Sequence, residues 1–101
     1  METSKPFKLI LFKKENCAPC LNVGLILNPI LEKHPKYQPL ITVLQKEHHT
    51  QLVKEYNLTM YPTLLILDRD MNEISRKVGQ KPLTHEFFWK ALFLIHRNRN
   101  T

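Results

Sequence analysis

The stretch FKLILFKKENCAPC, residues 7–20, joins an unbroken apolar run to two cysteines set two residues apart with a proline between them. Phe7, Leu9, Ile10, Leu11 and Phe12 show no polar alternation, the pattern of a strand covered on both faces. Pro19 has no backbone N–H and is tolerated only in a first helical turn, so a helix opens at about Cys17. Val23, Ile26, Leu27, Ile30 and Leu31 then recur at helical spacing as its buried stripe. Gly24 and Pro29 interrupt that helix, and a kink or break near Asn28 is expected.

Working outward, Pro39 to Leu44 (PLITVL) forms a second buried strand, so strand, helix and strand make a parallel crossover. A shorter helix follows from about Glu47 to Tyr56, ended by Asn57. Thr63 to Asp68 and Glu73 to Gly79 are joined by Arg69-Asp70-Met71-Asn72 as an antiparallel hairpin. Arg76 in its second arm suits an edge that resists further pairing. Thr84 caps the last helix, with Leu83 and Phe88 placed as a hydrophobic staple. Phe88, Ala91, Leu92 and Ile95 face the core. Phe87, Trp89 and Leu94 fall partly off that stripe, as a broad core face or as a patch for a partner.

The pattern predicts one α/β domain over residues 1–101. Met1 to Pro6 carries no leader-like apolar run and no segment approaches the length of a membrane span, so a soluble, cytoplasmic protein is expected. Fifteen lysines and arginines against nine acidic residues give a net charge of +6. That balance favours acidic partners. The cations are scattered, with no reading helix, RNA-recognition signature or finger spacing, so no nucleic acid is expected. Arg97 to Asn100 reads as a solvated tail placed against a helix C-terminus.

The chain has only these two cysteines. At a strand-to-helix turn of an intracellular α/β protein, a Cys-x-x-Cys pair points to redox chemistry. A thiolate at a helix N-terminus meets unpaired N–H groups and the positive end of the dipole, which lowers its pKa. Cys17, the outer residue, is therefore the nucleophile, and Cys20, one turn on, resolves the mixed disulfide. A structural zinc site would need two more ligands, and none of His34, His48, His49, His85 and His96 stands at a recognised spacing, so no metal is expected. A purely structural disulfide would close too small a loop to stabilise much.

Beyond the cysteines, KEYNLTMYPTLLIL (residues 54–67) and the Val78-Gly79 pair resemble the thioredoxin-like superfamily, as does the spacing from Cys20 to Pro62. The resemblance covers about Phe7 to Ile95. It implies a minimal thioredoxin-like fold, a four-stranded mixed sheet flanked by helices, closer to small redoxins and glutaredoxins than to full thioredoxins. It further implies a cis Tyr61-Pro62 bond against Cys17, with the Tyr61 backbone presented to substrate. Ala18, Pro19 and Gly79 complete the substrate-binding set. Asn16 replaces the family's tryptophan, Ala18 its glycine, and Leu11 stands where thioredoxins carry a buried aspartate, leaving proton removal from Cys20 to water, Glu15 or Lys14. Glutathione-holding elements of glutaredoxins are absent.

The function so implied is a thiol-disulfide oxidoreductase, a monomer that reduces protein disulfides. It needs no bound cofactor and is recharged by a reductase or a low-molecular-weight thiol. The rival is a thioredoxin-fold binding module whose thiols are dispensable. Net oxidation or isomerisation is a third direction, set by the pair's reduction potential.

Overall fold

The computed structural model describes residues 5–100. Met1 to Ser4, on which part of the leader expectation rests, lie outside the described residues, as does Thr101. Strand β1 (Lys8–Lys13) leads to helix α1 (Ala18–Lys33), then β2 (Ile41–Gln45), α2 (Thr50–Glu55), β3 (Thr63–Leu67), β4 (Glu73–Val78) and α3 (His85–Arg99). The four strands form one mixed sheet in the order β2-β1-β3-β4. β1 runs parallel to β2 and antiparallel to β3, and β3 and β4 form the antiparallel hairpin.

β1 is apolar from Leu9 to Phe12, between its terminal lysines, because each of its faces meets a separate cluster. Leu9 and Leu11 join Val23, Leu27 and Ile30 of α1 and Phe88, Leu92 and Ile95 of α3. Ile10 and Phe12 join Leu65, Leu67 and Leu58, against which Leu52, Val53 and Tyr56 pack. Helices thus cover both faces, and the thioredoxin-like α/β layout is the one present.

Four expectations need correction. α1 runs unbroken from Ala18 to Lys33 with Pro29 inside it. Pro29 is exposed, so the Leu25 carbonyl that loses its helical partner lies on a turn open to water. The second strand begins at Ile41, because Pro35 to Leu40 form a 3-10 helix. It is also an edge strand, and only Ile41 in it is buried. The second helix is split into a 3-10 turn, Lys46–His48, and α2, with His49 between them as the cap residue.

The last correction concerns the C-terminus. Arg97 to Arg99 belong to α3, and the Asn98 amide donates to the Pro6 carbonyl at 2.9 Å while Arg99 Nε donates to that of Phe7 at 2.9 Å. Arg99 also lies over the Phe7 ring, 4.1 Å from its centroid. The helix end is pinned to the start of β1 rather than free in solvent. Among the described residues no helix is long and apolar enough to cross a membrane.

Candidate functional site: the Cys17–Cys20 turn

At the C-terminal end of β1 the chain turns through Asn16, whose φ of 52° is left-handed. Asparagine tolerates that region better than most residues. The turn delivers Cys17 in extended conformation to the N-cap of α1. There Cys17 Sγ accepts a hydrogen bond from the Cys20 backbone N–H at 3.2 Å. The first turn of α1 holds no acidic residue to oppose negative charge. Cys17 and Cys20 are joined as a disulfide, with 7% and 8% of their surfaces exposed. Ala18 and Pro19 between them are exposed.

The second half of the site arrives with β3. The Tyr61-Pro62 peptide is cis, and the Tyr61 carbonyl oxygen lies 4.0 Å from Cys17 Sγ. Thr63, buried at the start of β3, closes this turn by donating its hydroxyl to the Met60 carbonyl at 2.7 Å. Gly79, left-handed at φ 85° where a side chain would be strained, donates its N–H to the Pro62 carbonyl at 2.7 Å. Asn22 of α1 donates to Gln80 at 3.4 Å, bringing the loop after Gly79 to the helix. Cys17, Cys20, Tyr61, Pro62 and Gly79, which are far apart in sequence, therefore share one end of the sheet.

The electrostatics around Tyr61 leave it neutral at physiological pH. Burial pushes its phenol above the usual range, and the nearby Glu47 carboxylate pushes it the same way. Its hydroxyl is buried without a hydrogen-bond partner, and Lys46 lies over the ring, 5.3 Å from its centroid. It is the Tyr61 carbonyl, at 4.0 Å, that lies beside Cys17 Sγ. Leu11 is buried in the strand below the disulfide, so that strand offers no proton acceptor to Cys20. Among the described residues no group of three or more His, Cys, Asp and Glu side chains is placed to hold a metal.

Of the off-stripe residues, Phe87 packs against the core cluster and Leu94 is half-buried. Trp89 is partly exposed and lies 4.8 Å from the His34 ring. The broad core face accounts for two of the three. A feature not foreseen in the sequence is a cleft of about 600 Å³ beside the disulfide, between α1 and β2, which Leu21, Gly24 and Leu25 line from the helix. Leu21 and Leu25 are 72% and 74% exposed. Their spacing of one turn, on the face away from the buried stripe, is the signal that could have marked them.

No family model matches the sequence, and no curated protein sequence matches it. Solved structures do. A thioredoxin of Malassezia sympodialis superposes with a TM-score of 0.68 at 17% identity, over 92% of this chain and 77% of the other. The thioredoxin pre-protein of Schistosoma mansoni gives 0.67 at 13% identity, over 89% and 79%. A poplar thioredoxin h gives 0.65 at 21% identity, over 83% and 74%. A four-stranded mixed sheet with helices on both faces, a Cys-x-x-Cys pair at the head of α1 and this likeness to several thioredoxins together give the chain the thioredoxin-like fold.

Proposed function

We propose that this protein is a thiol-disulfide oxidoreductase that reduces disulfides in protein substrates. The observation that carries the reading is the placement of Cys17 Sγ at the helix N-cap, bonded by the Cys20 N–H at 3.2 Å, beside the Tyr61 carbonyl. In the reduced protein the same N–H and the helix dipole favour the Cys17 thiolate.

That thiolate attacks one sulfur of the substrate disulfide. A Cys17–substrate bond forms, the substrate S–S bond breaks, and the first substrate sulfur leaves as a thiolate that takes a proton from solvent. Cys20 then gives up its proton and attacks Cys17 Sγ, forming the Cys17–Cys20 disulfide and expelling the second substrate thiol. Two electrons pass to the substrate. A reductase or a low-molecular-weight thiol returns them. Tyr61 and Pro62 present backbone groups along which an extended substrate segment can pair, and Ala18, Pro19 and Gly79 border its path. The protein acts as a cytoplasmic monomer of one domain, without bound cofactor.

The test is reduction of insulin by a small dithiol, with wild type, Cys17→Ser and Cys20→Ser. Turnover should vanish in Cys17→Ser, and Cys20→Ser should accumulate a mixed disulfide separable by mass. A wild type no faster than the dithiol alone would overturn the reading.

A further inference from the structure

The far end of α1 holds a second cavity, which the thiol chemistry does not use. Pro29, Ile30, Lys33 and His34 line it from α1, and His85 and Trp89 from α3, around a volume of about 280 Å³. Pro29 follows Cys20 by nine residues, about 14 Å along the helix. The cavity is therefore separate from the disulfide.

Its apolar surfaces are flat and held in place. Trp89, the only tryptophan of the chain, is 39% exposed. Its ring is braced by those of His34 at 4.8 Å and Tyr37 at 6.0 Å between centroids. Tyr37, itself buried, is backed in turn by His96 at 5.7 Å. A tryptophan braced in this way has little freedom left to lose on binding. From α1 comes Pro29, exposed and closed into a ring of its own. An indole and a pyrrolidine on two facing helices suit a planar ring, stacked or edge-on.

The charge of the cavity has one sign. Lys33 is the one side chain of fixed charge in the lining, and no carboxylate lines it. The acids next to lining residues in sequence are Glu32 and Glu86. At about 100° per residue, Glu32 falls about 130° round α1 from the centre of the lining face. Glu86 is paired with Lys90 at 2.8 Å, one charge against the other. Lys36, 5.5 Å over the Tyr37 ring, and Lys81, which shares the adjoining hollow with His85, add cations. α1 ends here and α3 begins here, so their dipoles offset each other and the lysines set the sign. His34 and His85 each offer a ring N–H in either tautomer.

We propose that this cavity binds a small aromatic monocarboxylate, with one or two fused rings against Trp89 and Pro29 and its carboxylate on Lys33 beside the imidazole N–H groups. The volume sets the size, since drug-sized ligands fill ~300–1,000 Å³. One lining lysine sets the single charge. Nucleotides, larger and multiply charged, fit on neither count.

The probe is naphthoate, added to the oxidised full chain and followed by proton–nitrogen NMR, in which Trp89 gives the single indole N–H signal. That signal should shift and saturate with a dissociation constant of about 1 mM or below. Naphthylmethylamine keeps the rings and reverses the charge, whereas cyclohexanecarboxylate keeps the charge and lacks the aromatic face. Each should bind at least ~5-fold more weakly than naphthoate. Lys33→Gln, at an exposed position, should weaken naphthoate about 3-fold, leave the amine no weaker, and keep the thermal midpoint. Trp89→Leu should abolish saturation transfer to the naphthoate protons, and Lys33→Gln alone carries the test if that variant does not fold. An indole signal that stays put up to about 10 mM, equal binding of carboxylate and amine, or shifts gathered instead at Leu21, Leu25 and Val43 beside the disulfide would overturn the proposal.

Discussion

Cys17 occupies a position that helices usually give to serine, threonine, aspartate or asparagine. Its sulfur is at once the cap of α1 and the proposed nucleophile, and the two roles can be separated. Cys17→Ser should keep the cap and match the reduced wild type in thermal midpoint to within a few degrees. Cys17→Ala should lose about 1 kcal/mol, read as a midpoint roughly 4–8 °C lower. Both should be inactive, so loss of turnover in the serine variant cannot be laid to unfolding. At this scale the sequence was most legible where chemistry restricts the residue type. A proline two residues after the first cysteine admits few backbone settings, and the Tyr61-Pro62-Thr63 run was identified through its company. Leu21 and Leu25 escaped because a search for the buried face of a helix passes over leucines on the other face.

Among the elements, β4 carries its own charge clip. Arg76 donates to both carboxylate oxygens of Glu73, and its Nη2 also reaches the Tyr56 carbonyl at 2.8 Å, fastening the end of α2 to the sheet edge. The Arg76 hydrogen bonds hold the Glu73 carboxyl below its usual range, against a smaller upward pull from burial, with the Arg76 charge assisting. A depressed folded pKa means stability that is present above the unfolded value of ~4.3 and fades as pH falls through the lower folded one. The pair is partly exposed, so screening limits it to about 1 kcal/mol or less. Arg76→Ala should therefore lower the urea midpoint at neutral pH, and the gap from wild type should narrow below about pH 4. A gap that stays constant down to strongly acid pH would instead place the whole effect in the bond to Tyr56. The elements themselves were legible from apolar periodicity, while their ends were not. Pro39 and Leu40 continue an apolar run that ends in a strand, yet the 3-10 turn before β2 takes them, and Pro29 does not stop α1 because its lost bond falls on the wet side.

Across the whole molecule, two apolar clusters share β1 as their common wall. A chain of this size has only ~5–15 kcal/mol of net stability. Phe88 is fully buried between α3 and the sheet, whereas Phe93, five residues on, is 54% exposed. Phe88→Ala should cost about 3–5 kcal/mol, and Phe93→Ala less than about 1 kcal/mol. Chemical denaturation of the two variants checks the contrast. The fold class was legible because β1 is apolar on both faces and the elements alternate. The cleft was not, because it arises from α1 and an edge strand meeting across a gap that no local pattern encodes.

The two edges of the sheet are unequal. β4 carries Glu73, Arg76 and Lys77 along its length, and β2, from Ile41 to Gln45, carries no charge at all. Charged edges repel a further strand and neutral ones invite it. A fibre grows only through molecules that accept a strand on both sides, so the charges of β4 block propagation even where β2 is bare, and neutral residues in place of Arg76 and Lys77 would remove that block.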